Sequence, residues 1–362
     1  MITKQLNEPI EIVLTGHSTV NYRLFISGAS TPFYTGKAYS YPNTNTIILQ
    51  LNDIIETQLS WDSFDITSVY DKQILSSWRK TFTLEYSYTT FGGSSVFETI
   101  VVANTYNKLG DDNQVGVDAE WAKIPALASN PQEIHIDTPL FLVYQADSAA
   151  VGTQRLIKVY CYNSQNQIQD AYDWFIEDTP ANTIVSLKTS LSQWYTTGTK
   201  WIGFSHMDYT GGTPWTLCAK YLVNQDCTPD YNVYWINQFG GIEVLDGSNA
   251  TKLNSNNTFA DTKINYRTFN GSTMVGSESS LGVRRFISSE DTFKFVTKLL
   301  SDREHQYIES LYSSPKVWVR ENNGDYFSVL SADSAYELKK FRTDKLQNRT
   351  INLVKTIPNK LR

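Results

Sequence analysis

Short runs in which apolar and polar residues alternate set the strongest limit on how this chain can fold. In Thr81–Tyr88 (TFTLEYSY) the alternation puts Phe82, Leu84, Tyr86 and Tyr88 on one face, the period of a half-buried strand. Ile10–Leu14 and Tyr22–Ile26 are similar runs, separated by the turn chemistry of GHSTVN. Phe97–Asn104 (FETIVVAN) is a largely apolar run, consistent with a buried strand. Pro139–Gln145, Arg155–Asn163 and KWIGFSHMDY extend the series. Composition agrees: Asn, Ser and Thr make up 97 of 362 residues, aromatics 13%, and charged residues only 19%. Thr and aromatics suit pleated surfaces, and Asn and Ser suit turns. A helical bundle, a coiled coil and a disordered tail are therefore disfavoured, and the expected class is mainly β.

The punctuation suggests three units. Residues 1–138 read as an N-terminal β-sandwich-like domain with a long excursion at 106–133, and 139–290 as a second sandwich-like domain. Residues 291–362 read as a small α+β unit of strand, helix, β-hairpin and strand with a basic tail. Asp53 is the expected N-cap of a helical turn in DIIETQL. Ser301 and Glu304 form a capping-box pattern ahead of Tyr307, Ile308, Leu311 and Tyr312. Hairpins are expected around Asn163–Asn166 and around Asn322-Asn323-Gly324-Asp325. The polar stretch 247–262 (GSNATKLNSNNTFADT) reads as a mobile loop or one ordered by a partner.

Chemistry-bearing patterns are sparse. The histidines His17, His135, His206 and His305 are scattered, and Cys161, Cys218 and Cys227 make no Cys-x-x-Cys pair. GDDNQVGVDAE starts like a calcium loop, but Val115 occupies an alternate ligand position. There is no nucleophile elbow, P-loop or Gly-x-Gly-x-x-Gly, and the Gly92-Gly93, Gly211-Gly212 and Gly240-Gly241 pairs read as turns. The expectation is no catalytic residue, no metal and no cofactor. The start lacks a signal-peptide pattern, and no apolar run is long enough to span a membrane as a helix, so no membrane insertion is expected.

Charge is distributed unevenly. Net charge is −6, yet residues 339–362 carry eight Lys or Arg and one acid. Lys339, Lys340, Arg342, Lys345 and Arg349 are candidate subunit contacts, because a basic end can meet the acidic body of the next copy. The plainer alternative is a solvated face of the terminal strand pair.

Three stretches carry a family resemblance: Phe33–Leu59, Tyr231–Gly247, and the segment from the Ser301 helix through Lys316–Val354. In the same order they resemble virion structural proteins of tailed phages that infect Bacteroidota, nearest to the ring or neck proteins of crAss-like phages. The resemblance implies a non-enzymatic subunit of the portal–tail connection or tail channel. Its partners would be copies of itself in a closed six- or twelve-fold ring and neighbouring portal, neck or tail proteins, with non-specific proximity to DNA in the channel. It also implies location in the virion after synthesis in the host cytoplasm. Within the motif, Tyr234, Trp235 and Phe239 are expected to pack and Gly240-Gly241 to turn the chain. The alternative is a receptor- or carbohydrate-binding tail module, motivated by the Trp and Tyr content. A glycoside hydrolase has only abundant acidic residues in its favour.

Overall fold

The computed structural model describes residues 2–6, 9–42, 44–89, 91, 95–103, 132–145, 155–176, 183–208, 217–226, 228–237, 240–247, 252–264, 267–269, 272, 274–276, 281–297, 305–331 and 350–355. Among the described residues the fold is mainly β, with several sheets and two short α-helices.

The N-terminal strands are β1 (Ile2–Gln5), β2 (Glu11–Thr15), β3 (Thr19–Ile26), β4 (Tyr34–Tyr39), β5 (Thr46–Gln50), β6 (Lys72–Ile74), β7 (Arg79–Ser87) and β8 (Val96–Ala103). One sheet has the order β1-β8-β7-β3-β4, and β2 pairs with β5 in a second. The alternation seen in sequence supplies the shared core. Val20, Tyr22, Leu24, Phe82, Leu84 and Tyr86 come from the larger sheet, and Ile12, Leu14, Ile47 and Leu49 from the smaller. Each such side chain contributes about 1.5–3 kcal/mol when fully buried. Helix α1 (Asn52–Glu56) follows β5, but its N-cap is Leu51 and not Asp53. Asn52 has the stitching role: its Oδ1 accepts from Ile10 N at 2.9 Å and its Nδ2 donates to Leu6 O at 2.8 Å. Those partners lie more than forty positions back along the chain, so local capping statistics misplace the anchor by one residue.

The central strands are β9 (Gln132–His135), β10 (Leu140–Gln145), β11 (Arg155–Tyr162), β12 (Ile168–Ile176), β13 (Ile184–Thr189), β14 (Trp201–Asp208) and β15 (Leu217–Asn224). They form the sheets β12-β11-β14-β15-β9 and β10-β13-β6. The hairpin between β11 and β12 turns at Asn163–Asn166, where Asn163 Oδ1 accepts from the amides of Gln165 and Gln167. Leu140, Phe141, Leu142 and Val143 are all buried, so β10 is covered on both faces. The 61–78 segment belongs to this core as well: Phe64, Leu75 and Trp78 sit within it, and β6 extends its smaller sheet.

The C-terminal strands are β16 (Tyr231–Ile236), β17 (Ile242–Asp246), β18 (Lys252–Ile264), the short pair β19 (Arg267–Phe269) and β20 (Met274–Gly276), β21 (Leu281–Val296), β22 (Val317–Glu321), β23 (Tyr326–Ser331) and β24 (Thr350–Lys355). Helix α2 spans His305–Tyr312. Ser301 and Glu304 lie outside the described residues. Seven strands form one antiparallel sheet in the order β17-β16-β22-β23-β24-β21-β18. Ile308 and Leu311 of α2 pack with Val233, Trp235, Phe293, Phe295, Ile351 and Leu353. Tyr234, Ile236, Ile242, Val244 and Trp318 instead join the central core. The sheet draws strands from both sides of residue 290, and that position lies inside β21.

One expectation changes here. The stretch 247–262 is not a loop throughout: from Lys252 it is a strand, paired with β21 in register from Lys252↔Lys294 to Ile264↔Leu281. Its Asn, Ser and Thr residues conceal the pairing because no apolar alternation marks it. β24 lies between β23 and β21, with Ile351 and Leu353 buried, so the C-terminal segment supplies an interior strand. The excursion at 106–133 lies outside the described residues except for Gln132 and Glu133, which begin β9.

Candidate functional site

β17, at one end of the seven-stranded order, closes with Asp246. Gly247 bridges to Thr297, beyond the end of β21. Asp246 is 1% exposed and gathers donors from three places. Its Oδ2 accepts from His135 N at 2.6 Å. Its Oδ1 accepts from Thr138 Oγ1 at 3.1 Å and from Asn232 Nδ2 at 2.7 Å. Asn232 Oδ1 in turn accepts from Arg320 Nη1 at 3.4 Å. One buried carboxylate thus ties β9, the β9–β10 turn and β16 together at the root of the β18–β21 pair. Charge-assisted hydrogen bonds of this type are stronger than neutral ones and offset the cost of burying the charge. Gln132 Nε2 adds a bond to Val244 O at 2.6 Å on the same seam.

No sequence signal marks this cluster. His135 and Thr138 stand more than a hundred positions from Asp246, and each member alone reads as an ordinary turn or strand residue.

Tyr234 and Trp235 are neighbours in β16 and so point to opposite faces. Tyr234 donates from its hydroxyl to Pro139 O at 3.0 Å and meets Phe141 edge-on at 5.8 Å between ring centroids. Burial drives its phenol well above the ordinary range. Trp235 faces α2, where its Nε1 donates to Ser310 Oγ at 2.8 Å. Gly240 adopts φ +81, a left-handed conformation that suits glycine. The Gly241 amide donates to Asn237 Oδ1 at 2.7 Å, and Asn237 Nδ2 donates to Glu243 Oε1 at 2.7 Å. These residues close the β16–β17 turn. Phe239, and with it Lys339, Lys340, Arg342, Lys345 and Arg349, lies outside the described residues.

A second cluster lies on β11, β14 and β15. Tyr162 opposes Trp201, and Gly203 opposes both Tyr160 and Lys220. The Lys220 ammonium sits 4.1 Å from the centroid of the Tyr162 ring and 5.3 Å from that of Trp201, and it donates to Asn166 Oδ1. Burial lowers its pKa. The three aromatic rings are half-buried and form an aromatic–cation patch on the sheet. Cys161, on the opposite side of β11, is fully buried and donates to Trp194 O at 3.1 Å.

Among the described residues, no group of three or more His, Cys, Asp or Glu side chains could hold a metal ion. No helix among them is long and apolar enough to cross a membrane. A polar cavity of about 520 Å³ is lined by Ser27, Ser76, Ser77, Arg79, Lys80 and Thr81, and its cations are engaged: Lys80 donates to Gln58 O, and Arg79 has an interaction of its own. No protein-family model matches the chain, and no curated protein matches it.

Proposed function

We propose that this chain is a non-enzymatic virion structural protein, a ring-forming subunit of the neck or tail of a tailed phage. The observation that carries the proposal is the placement of the stretches behind the resemblance. Tyr231–Gly247 holds β16 and β17, and the third stretch holds α2 and β22–β24. β16 and β22 are hydrogen-bonded neighbours, in register from Tyr231↔Glu321 to Trp235↔Val317. Two segments far apart in sequence thus make one sheet, as expected if the resemblance reflects one shared module. Copies would join through a heterologous interface closed by rotation, in a six- or twelve-fold ring. Electron microscopy of the purified protein and of virions tests this. Closed rings, or the protein at the neck or tail of the virion, support it. A monodisperse monomer absent from virions overturns it.

A second reading is a carbohydrate- or receptor-binding tail module. The Tyr160, Tyr162 and Trp201 patch favours it, because half-exposed aromatic faces stack on sugar rings. Saturable binding to one class in a glycan array, lost in Trp201→Ala, would support this reading over the first.

A further inference from the structure

The β18–β21 pair extends beyond the sheet that carries it. β24 pairs with β21 only from Thr292↔Val354 to Val296↔Thr350. Among the described residues, positions 281–291 of β21 have β18 as their only ladder partner. At roughly 3.3 Å per residue, those eleven positions form a two-stranded arm about 35 Å long. An isolated two-stranded hairpin is marginal in water, because it has two unpaired edges and no core.

The sequence pattern along the arm is graded. Near the sheet the register partners are all polar: Asn254↔Thr292, Ser255↔Asp291, Asn256↔Glu290, Asn257↔Ser289 and Thr258↔Ser288. A bulge follows at Thr258/Phe259. Beyond it apolar residues appear, with Phe259↔Phe286, Thr262↔Val283 and Ile264↔Leu281. By the two-residue period, the Phe259↔Phe286 position falls on one face of the ribbon and the Thr262↔Val283 and Ile264↔Leu281 positions on the other. A ribbon one layer thick can cover neither face, so the distal arm needs an outside surface. Its charge points to that surface. Between 259 and 286 stand Lys263, Arg267, Arg284 and Arg285 against Asp261 and Glu278. Residues 1–138 carry eight basic and fifteen acidic residues.

We infer that the arm is an assembly element that docks on the N-terminal unit of a second copy of this chain. One open edge there is β4, which among the described residues pairs on one side only, with β3. Tyr39 and Tyr41 stand 65% and 52% exposed at its end. An arm laid along this edge satisfies its backbone groups by strand addition, and the exposed Tyr39 and Tyr41 offer an apolar surface to the distal residues. The Asp246 cluster then fixes the direction in which the arm leaves the sheet. The inference rests on the ring-subunit proposal and specifies how its copies join.

Sedimentation velocity of the full chain over a range of concentrations tests it, with three variants. In one, residues 255–291 are replaced by an Asn-Gly turn. The second is Phe259→Ser with Phe286→Ser, and the third is Tyr39→Asp with Tyr41→Asp. Circular dichroism and thermal melting check that each variant folds. The expected result is a self-associating parent chain, a monomeric arm-shortened chain, and self-association weakened about thirtyfold or more in the two point variants, the loss typical of central aromatic anchors. If the folded arm-shortened chain, or the Phe pair variant when shortening prevents folding, associates like the parent, the arm inference falls while the ring proposal stands. If the Tyr variant alone associates normally, the assignment of β4 as the receiving edge is overturned. A parent chain that stays monomeric at every concentration overturns the ring proposal and the arm inference together.

Discussion

Asn232 and Asp246 are register partners in the β16–β17 ladder, and the Asn232 side-chain amide donates to the Asp246 carboxylate at 2.7 Å. The same carboxylate accepts from Thr138 and from the His135 backbone. Replacing Asp246 with Ala leaves these buried donors without their acceptor. The expected loss is about 3 kcal/mol in chemical denaturation, toward the upper end for a broken buried hydrogen-bond network. Asp246→Asn keeps the shape but turns an acceptor into a donor facing donors, so it should recover less than half of the loss. A change under about 0.5 kcal/mol for Asp246→Ala, the scale of an ordinary surface substitution, would show that the cluster does not hold the seam.

Burial raises the Cys161 thiol from its ordinary 9.0 to about 11. The folded chain therefore holds this proton more tightly than the unfolded chain does. The stability involved is fully present below about pH 9 and is lost as pH rises through about 11. Buried Tyr22, raised to about 12, acts in the same direction at higher pH. Urea midpoints measured at neutral and alkaline pH should fall as this window is crossed, and Cys161→Ala should flatten the first part of the fall. Mass spectrometry after thiol labelling at pH 8 should find Cys161 unmodified until denaturant is added. Rapid labelling of the native chain would contradict the buried placement.

Gly36 stands opposite Tyr22 in the β3–β4 ladder, under its ring. A Cβ at this position would come 2.7 Å from Tyr22 Cζ and 2.8 Å from Tyr34 Cε1. Tyr22 is buried and has little room to give way. Gly36→Ala should cost about 1–3 kcal/mol, as overpacking does. Pairing it with Tyr22→Leu should recover part of that loss relative to the sum of the single changes, measured in a double-mutant cycle. Simple additivity would mean that the two positions do not share the clash.

Deleting residues 339–362 would remove β24, with Ile351 and Leu353, from the interior of its sheet, so it would unfold the sheet and say nothing about charge. Changing Lys339, Lys340, Arg342, Lys345 and Arg349 to Gln avoids this. The melting temperature should hold, self-association should weaken, and its dependence on salt should become shallower. Sedimentation at low and high salt, beside a DNA-binding titration, separates the outcomes. Unchanged association with reduced DNA affinity would assign these residues to DNA.

Much of this fold is legible in local chemistry alone. Phe82, Leu84 and Tyr86 read as one buried face from their spacing and are one, because a strand's period is local geometry. The hairpins at Asn163–Asn166 and Asn322–Asp325 are legible because turn residues act over four positions. The β18 strand is not, since its ladder partner decides its state and its own sequence is mostly polar.

Pairings between distant segments are decided only in three dimensions. Nothing within β6 says that it joins β10 and β13, and nothing near Asp246 announces His135 or Thr138. Which face Trp235 takes follows from the arrival of α2, and which face Tyr234 takes from the central core. Alternation along a chain states that two faces differ, but the free energy of burial depends on what covers each face. That covering comes from residues tens of positions away, 75 for Trp235 and Ser310 and 95 for Tyr234 and Pro139.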